Sequence, residues 1–316
     1  MKTEKLETCS VVLSTYNGEK YIIEQLESIR IQKRKPEEVL ICDDCSTDNT
    51  PVLVKNYIKS YKLNWFFFQN KSNKGFFVNF INLVKQASGS VIFFCDQDDI
   101  WKDNKIDDAM NFLQNNSSAL AVSCNVNFID GAGNRIEAPQ LSYLNVSEIH
   151  KVALPEIIRI PNSLGCTMAF RKNLVENIDD YIMLKGASHD SLIEMIAILK
   201  GEMYKIPQTG MNYRVHENNT SHLKKNQKNR EDEVENNLSL LKKIEGEMHK
   251  IGLKSNPDLL NAIILLKRRI DFFEKETNII SQVLFIPNYI KYANGILAGT
   301  RLFLGDIMFV AKGKKI

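Results

Sequence analysis

The sequence predicts an α/β fold with a mostly parallel, doubly wound sheet, followed by a helical appendage. Three observations predict it. Over the first 100 residues, short apolar runs alternate with segments of helical periodicity, the pattern of a parallel sheet wound through right-handed crossovers. The first, second and fourth of those runs each end in a polar cluster, and in open parallel sheets ligands sit beyond the carboxyl ends of the strands. Beyond His222 the alternation gives way to a polar stretch and then to long helical patterns.

Cys9 to Thr15 (CSVVLST) reads as a buried strand, broken by Tyr16-Asn17-Gly18. Glu19 to Gln32 follows with Tyr21, Ile22, Leu26 and Ile29 at near-helical spacing, stopped by Pro36. Glu38 to Cys42 is a second strand. It runs into a loop from Asp43 to Thr50, and Pro51 then suits the first turn of a helix reaching about Tyr61. Asn64 to Gln69 is a third strand, Asn70 to Gly75 a turn, and Phe76 to Ala87 a helix with Phe77, Phe80, Ile81 and Val84 on one side. Val91 to Cys95 is the fourth strand. Further strands are expected at Leu120 to Phe128, Asn162 to Phe170, Glu202 to Ile206 and Asn212 to His216. Gly165 inside the second of these marks a bulge or a close approach of the backbone to a ligand. Helices are expected around Val152 to Arg159, after Asp190 to Lys200, and over Val234 to Ile251, Pro257 to Thr277 and Ile279 to the end, the last with a break at Pro287. The domain boundary falls near residue 225, giving a catalytic domain over 1–225 and a helical region over 226–316.

A net charge of +3 implies no general affinity for nucleic acid. The charge is uneven: residues 224–316 hold 17 Lys+Arg against 11 Asp+Glu. Five of the six cysteines lie in or beside strand-like runs, as free thiols do in a reducing compartment. Cys42 and Cys45 form a lone CxxC with two aspartates between them, a poor zinc or redox motif. The first nine residues lack an apolar signal region, and no run of about 18 apolar residues occurs. A cytoplasmic location is therefore expected. No GxxxxGK[ST] or GxGxxG motif is present, which lowers phosphate-loop and dinucleotide readings.

The loop Asp96-Gln97-Asp98-Asp99 sets three carboxylates directly after a buried strand. Like charges this close raise one another's pKa unless a cation is present. A divalent ion with oxygen ligands, Mn2+ or Mg2+, shared with phosphate oxygens, answers that repulsion. A solvated loop, or Asp98 or Asp99 capping a helix that begins near Asp103, accounts for the same residues.

Six motifs in order identify a family resemblance: Thr15-Tyr16-Asn17-Gly18; Asp43-Asp44 with Ser46, Asp48 and Thr50; Asn73-Lys74-Gly75; Asp96-Gln97-Asp98-Asp99-Ile100-Trp101; His189-Asp190; and Tyr213-Arg214 with His216, Asn218 and Asn219. Over about residues 8–222 the chain resembles the family 2 glycosyltransferases of the GT-A fold, with its Rossmann-like sheet, and bacterial polysaccharide rhamnosyltransferases in particular. The resemblance implies an inverting transferase that moves a sugar from a dTDP- or UDP-linked donor to a glycan or lipid-linked acceptor. It places Tyr16 and Asp44 at the nucleobase with Thr15 and Asn17 nearby, and Asn73 and Lys74 beside the nucleotide. Asp96 and Gln97 fall near the ribose or sugar. Asp98 becomes the principal metal ligand, with Asp96 and His216 completing the set. Arg214 is placed at the diphosphate, and Asp99, Trp101 and His189 toward the acceptor. Asp190 becomes the general base, although it also suits the N-cap of the helix that follows, a role Ser188 fills equally well. A metal belongs at such a site because a departing diphosphate builds negative charge. The chain departs from the family at Cys45, where glycine is usual, and at Ser191 and Leu192, where aromatics are frequent.

Near the end, Ile296 to Val310 is apolar with few charges and is followed by Lys312, Lys314 and Lys315. This suits a peripheral helix on the inner face of the membrane, and equally a helix packed on the catalytic domain or on a second subunit.

Overall fold

The computed structural model describes residues 7–138, 141, 144–153, 163–176, 188–217, short helical pieces between 234 and 246, and residues 257–274, 282–292 and 296–311. The helices expected at 152–159 and 234–251, the pair Asn218-Asn219 and the terminal lysines lie wholly or largely outside these residues. Two compact units divide the chain: the first holds 7–138, 144–152, 163–176 and 188–217, the second the helices beyond residue 256.

The first unit opens with β1 (Cys9–Thr15), α1 (Ile22–Arg30), β2 (Glu38–Asp43), α2 (Thr50–Ser60), β3 (Phe66–Gln69), α3 (Phe76–Gln86) and β4 (Val91–Cys95). Then come β5 (Ile100–Trp101), α4 (Lys105–Asn115), β6 (Ala119–Ile129), β7 (Arg135–Ile136), β8 (His150–Lys151), β9 (Met168–Arg171), α5 (His189–Lys200) and β10 (Glu202–Arg214). The sheet runs β3-β2-β1-β4-β9-β6-β10-β5, with β7 paired to β6 and β8 to β10. Strands β3, β2, β1 and β4 are parallel, and β9 is antiparallel to both β4 and β6. The central strands are buried on both faces, Val11, Val12, Leu13, Phe93 and Phe94 being fully covered, which is why they read as continuous apolar runs. The helices cover them with one stripe each: Ile22, Leu26 and Ile29 from α1, and Phe80, Ile81 and Val84 from α3.

The pairing of Thr15 with Asp43 and of Leu13 with Cys95 sets the carboxyl ends of β1, β2 and β4 side by side. The polar clusters that follow them therefore share one edge. The two strands expected at 202–206 and 212–216 are one strand, β10, whose register with β6 shifts around Thr209; Pro207, unable to donate to the ladder, sits at this irregularity. The strand expected from Asn162 is a 3-10 turn over Gly165–Thr167 followed by the short β9. A β carbon at Gly165 would stand 2.9 Å from His189 Nε2 and 3.1 Å from Asp190 Cβ. The glycine thus admits the start of α5, a part of the chain itself.

The second unit contains α6 (Pro257–Phe273), α7 (Ile286–Tyr292) and α8 (Ile296–Ala311). None of the described helices is long and apolar enough to cross a membrane. Asp306 on α8 is fully buried and accepts from Arg269 Nε at 2.7 Å, Arg269 Nη2 at 3.0 Å and the Tyr289 hydroxyl at 2.9 Å. One buried carboxylate thereby ties the three helices together.

Two stability outcomes are expected. Asp306→Ala strands the Arg269 charge and is expected to destabilise the helical unit by about 3–5 kcal/mol, whereas Arg269→Met with Asp306→Leu recovers most of that loss; urea unfolding followed by circular dichroism measures both. Cys45 holds a left-handed φ of 66°, so Cys45→Gly is expected to raise stability by about 0.5–1 kcal/mol in the same assay and Cys45→Val to lower it.

Candidate active site

The loops after β1, β2 and β4 are tied to one another mainly by side chains bonding to main chain. Gln97 accepts from Tyr16 N at 2.8 Å and returns its amide to Tyr16 O at 2.9 Å. Asn17 N donates to Ser46 Oγ, Gly18 N to Thr50 Oγ1, and Glu19 N to Asp48 Oδ2, while Thr47 N donates to Asn17 Oδ1. A β carbon at Gly18 would fall 2.2 Å from Gln97 Oε1, so only glycine lets the first and third loops close. Ser46, Asp48 and Thr50 act as turn and cap residues, as their types suggest.

Both aspartates after β2 hold this frame. Asp43 accepts from Thr15 Oγ1 at 3.0 Å and from Ser46 N at 2.9 Å across the left-handed Cys45, which explains the preference for glycine at that position. Asp44 accepts from Asn70 Nδ2 at 2.8 Å, Lys74 N at 2.9 Å and Gly75 N at 2.8 Å. Thr15 and Asp44, both expected at the nucleobase, are thus buried: Thr15 bonds the Asp43 carboxylate and Asp44 holds backbone. Tyr16, 46% exposed, and Asn73 and Lys74 line the outer rim.

The acidic loop lies at the centre. Burial, then the neighbouring Asp98 and Asp190 carboxylates, push the Asp96 carboxyl up to about 7. Asp190 is therefore near enough to act on Asp96. Asp98 Oδ2 lies 2.8 Å from His216 Nε2, with both side chains partly exposed. Asp99 turns inward, fully buried, and accepts from Arg214 N at 2.9 Å; burial and the charges of Asp98 and Asp96 hold its carboxyl well above the usual range. Neither Asp98 nor Asp99 caps α4, which starts at Lys105 behind Asn104. Ser188 occupies the N-cap of α5 and accepts from Ser191 N at 3.4 Å. Asp190 accepts from Ser191 N at 2.8 Å and from Gly165 N at 3.3 Å.

A divalent cation fits this donor set. Asp96 and Asp98 bring oxygen ligands and His216 an imidazole, a combination that suits Mn2+ and Mg2+. Burial and the neighbouring carboxylates raise the Asp96 carboxyl, and a cation bound beside it would lower it again. Among the described residues, the group of three donor atoms within 4.8 Å of one another comes from Asp96, Asp99 and Cys166.

Three further side chains expected at the ligands are buried. Arg214, placed by the sequence at the diphosphate, has a side chain only 1% exposed, and its guanidinium bonds Asp98 O at 2.7 Å and Glu24 Oε2 at 2.7 Å. Trp101, placed toward the acceptor, is buried with the Lys105 ammonium 3.8 Å from its ring centre. His189 is buried as well, stacked on Phe80 at 4.1 Å and edge-on to Phe94 at 4.7 Å; burial lowers its pKa, which keeps the ring neutral. Sequence reasoning missed Tyr21, Glu24, Lys105 and Cys166. Tyr21 and Glu24 read as ordinary residues of α1, and a lysine at the start of a helix has no signature that distinguishes burial from exposure.

Comparison with known proteins agrees with this architecture. The model of the family described as glycosyl transferase family 2 matches residues 10–179. The poly(ribitol-phosphate) beta-N-acetylglucosaminyltransferase TarS of Staphylococcus aureus is 32% identical over 207 residues, covering 62% of this chain and 33% of that protein. The dTDP-rhamnosyl transferase RfbG of Shigella flexneri is 31% identical over 220 residues, covering 66% and 72% respectively. The chain thus spans about a third of the length of TarS. Among solved structures, S. aureus TarS 1-349 in complex with UDP-GlcNAc superposes with a TM-score of 0.63 at 23% identity, covering 92% of this chain and 81% of that one. The Pyrobaculum calidifontis mannosyltransferase PcManGT in complex with GDP-Man and Mn2+ gives 0.56 at 17% identity, covering 99% and 77%. With its parallel core, its edge of converging loops and a family match over more than half of its length, the chain belongs to glycosyl transferase family 2 and has the GT-A fold.

Proposed function

We propose that the chain is an inverting, metal-dependent glycosyltransferase. It moves a sugar from a nucleoside diphosphate to a glycan or lipid-linked acceptor in the synthesis of a bacterial surface polysaccharide. The observation that carries this reading is the nearness of Asp190 to Asp96, whose carboxyl it helps to raise, beside the Asp98–His216 pair.

In this reading Tyr16 meets the nucleobase at the exposed rim, with Asn17 shaping the same loop. Thr15, Asp44 and Gln97 hold the backbone that cradles the nucleotide, and Asn73 and Lys74 flank it. Asp98, Asp96 and His216 hold the divalent ion, Mn2+ or Mg2+. When bound, the ion supplies positive charge where the diphosphate departs. Asp190 accepts the proton of the acceptor hydroxyl as its oxygen bonds to the anomeric carbon and the bond to the diphosphate breaks on the opposite face, which inverts that carbon. Asp99 supports the loop from beneath. His189 and Trp101 shape the acceptor side from behind, by packing. The two named relatives act with different sugars. RfbG, matched over the larger share of its own length, makes dTDP-rhamnose the first donor to test and UDP-N-acetylglucosamine the second.

The apolar side chains Leu284, Leu304 and Met308 of the helical unit are half or more exposed. They support peripheral contact of this unit with an anionic membrane face, near a lipid-linked acceptor.

Two tests follow. Nucleotide release from sugar nucleotides, with Mn2+ or Mg2+ and lipid extract, is expected to fall by at least about 100-fold in Asp190→Asn with donor binding retained. Asp98→Asn is expected to lose metal-dependent donor binding; full transfer by Asp190→Asn rejects the assigned base. Replacing Leu284, Leu304 and Met308 together by serine is expected to lower the fraction that sediments with anionic vesicles without altering the circular dichroism spectrum, and an unchanged fraction rejects membrane contact.

A further inference from the structure

We propose that Tyr21 and Glu24, at the N-cap and in the first turn of α1 and outside the recognised motifs, are positioning residues for the Asp98–His216 pair, Glu24 acting through Arg214 and Tyr21 against the His216 ring. The inference rests on the reading of that pair as the cation- and diphosphate-holding site.

Arg214 is the last residue of β10 and its side chain is almost wholly buried. Its own N–H donates to Asp99 Oδ1 at 2.9 Å, its Nε to Asp98 O at 2.7 Å, its Nη2 to Glu24 Oε2 at 2.7 Å and its Nη1 to Asp130 O at 3.4 Å. One side chain thereby fixes the main chain of Asp98, and the same residue's backbone fixes the carboxyl of Asp99. A buried guanidinium needs an opposing charge and a full set of acceptors. Among the described ion pairs, Glu24 is the carboxylate that opposes it, from a position about half open to solvent.

Tyr21 completes the linkage. Its ring lies 4.5 Å from the Arg214 guanidinium and 5.1 Å from the His216 ring, tilted by 33° to the latter. The ring is buried, and a β carbon added at Gly131 would come within 3.1 Å of its hydroxyl. The hydroxyl end of Tyr21 thus lies beside the turn after β6. The imidazole, backed by Tyr21, presents Nε2 to Asp98 Oδ2 at 2.8 Å. Both members of the pair are thus set from the same turn of α1: Asp98 through Glu24 and Arg214, His216 through Tyr21. Groups one contact removed from a ligand orient it, and their loss typically weakens metal affinity by 10- to 100-fold.

The test is Mn2+ affinity, measured by electron paramagnetic resonance of the free ion with UDP or dTDP present, on the full chain. Glu24→Gln and Tyr21→Leu are each expected to weaken Mn2+ binding about tenfold, with melting temperatures read in parallel, and Tyr21→Phe, which keeps the ring, to stay within about twofold of wild type. Should Tyr21→Leu fail to fold, Glu24→Gln, at an exposed carboxylate, decides the matter. Wild-type affinity in Glu24→Gln and Tyr21→Leu overturns the inference and leaves the proposed function standing. Equal losses in Tyr21→Phe and Tyr21→Leu overturn the role of the ring. Absence of Mn2+ binding by the wild type rejects the cation site and this inference with it.

Discussion

The crowding of Asp96, Asp98 and Asp99 after a buried strand is the constraint around which the catalytic unit is arranged. Three carboxylates within four residues repel one another, and a low-dielectric strand end magnifies the repulsion. The fold answers with cations placed beneath the loop. Arg214 binds its main chain from one side. Lys105, buried at the start of α4, sits over Trp101, donates to the Cys166 carbonyl and pulls the Asp96 carboxyl downward. These contacts hold the loop's shape, while burial and the neighbouring carboxylates still keep the Asp96 carboxyl up at about 7.

The same economy governs the neighbouring loops. Asp43 and Asp44 are buried acids whose oxygens are occupied by N–H and hydroxyl donors of their own chain. Gln97 joins the first loop to the third. This edge is therefore held together by hydrogen bonds of the chain itself. Behind Asp190, the neutral His189 ring packs among Phe76, Phe80 and Phe94. That apolar anchoring fixes the start of α5, while Gly165 makes room for it. Asp190 is thus presented at a helix terminus anchored by packing.

The alternation of buried strands and amphipathic helices through residue 95 was legible because each apolar run is short, continuous and bounded by turn residues. Beyond that point legibility falls. A strand as short as β5 has no periodicity to detect, and β10 reads as two strands because Pro207 and Gly210 interrupt its pattern. The antiparallel insertion of β9 between β4 and β6 depends on pairing across a long sequence separation, which no local pattern encodes.

For the site, the sequence by itself determined which residue types gather at the strand ends: the acidic loop, the Tyr16 turn, the His189-Asp190 pair and the Arg214–His216 segment. Tertiary structure alone decided which of these face the cleft. Arg214, His189, Trp101 and Asp44 look like ligand contacts in one dimension, yet all four are buried. A polar side chain in a motif can bind a ligand or hold the loop that binds it. The choice turns on burial and on which backbone donors lie within about 3 Å, and both are set by residues such as Tyr21, Glu24 and Lys105 that are distant from the motifs or silent within them.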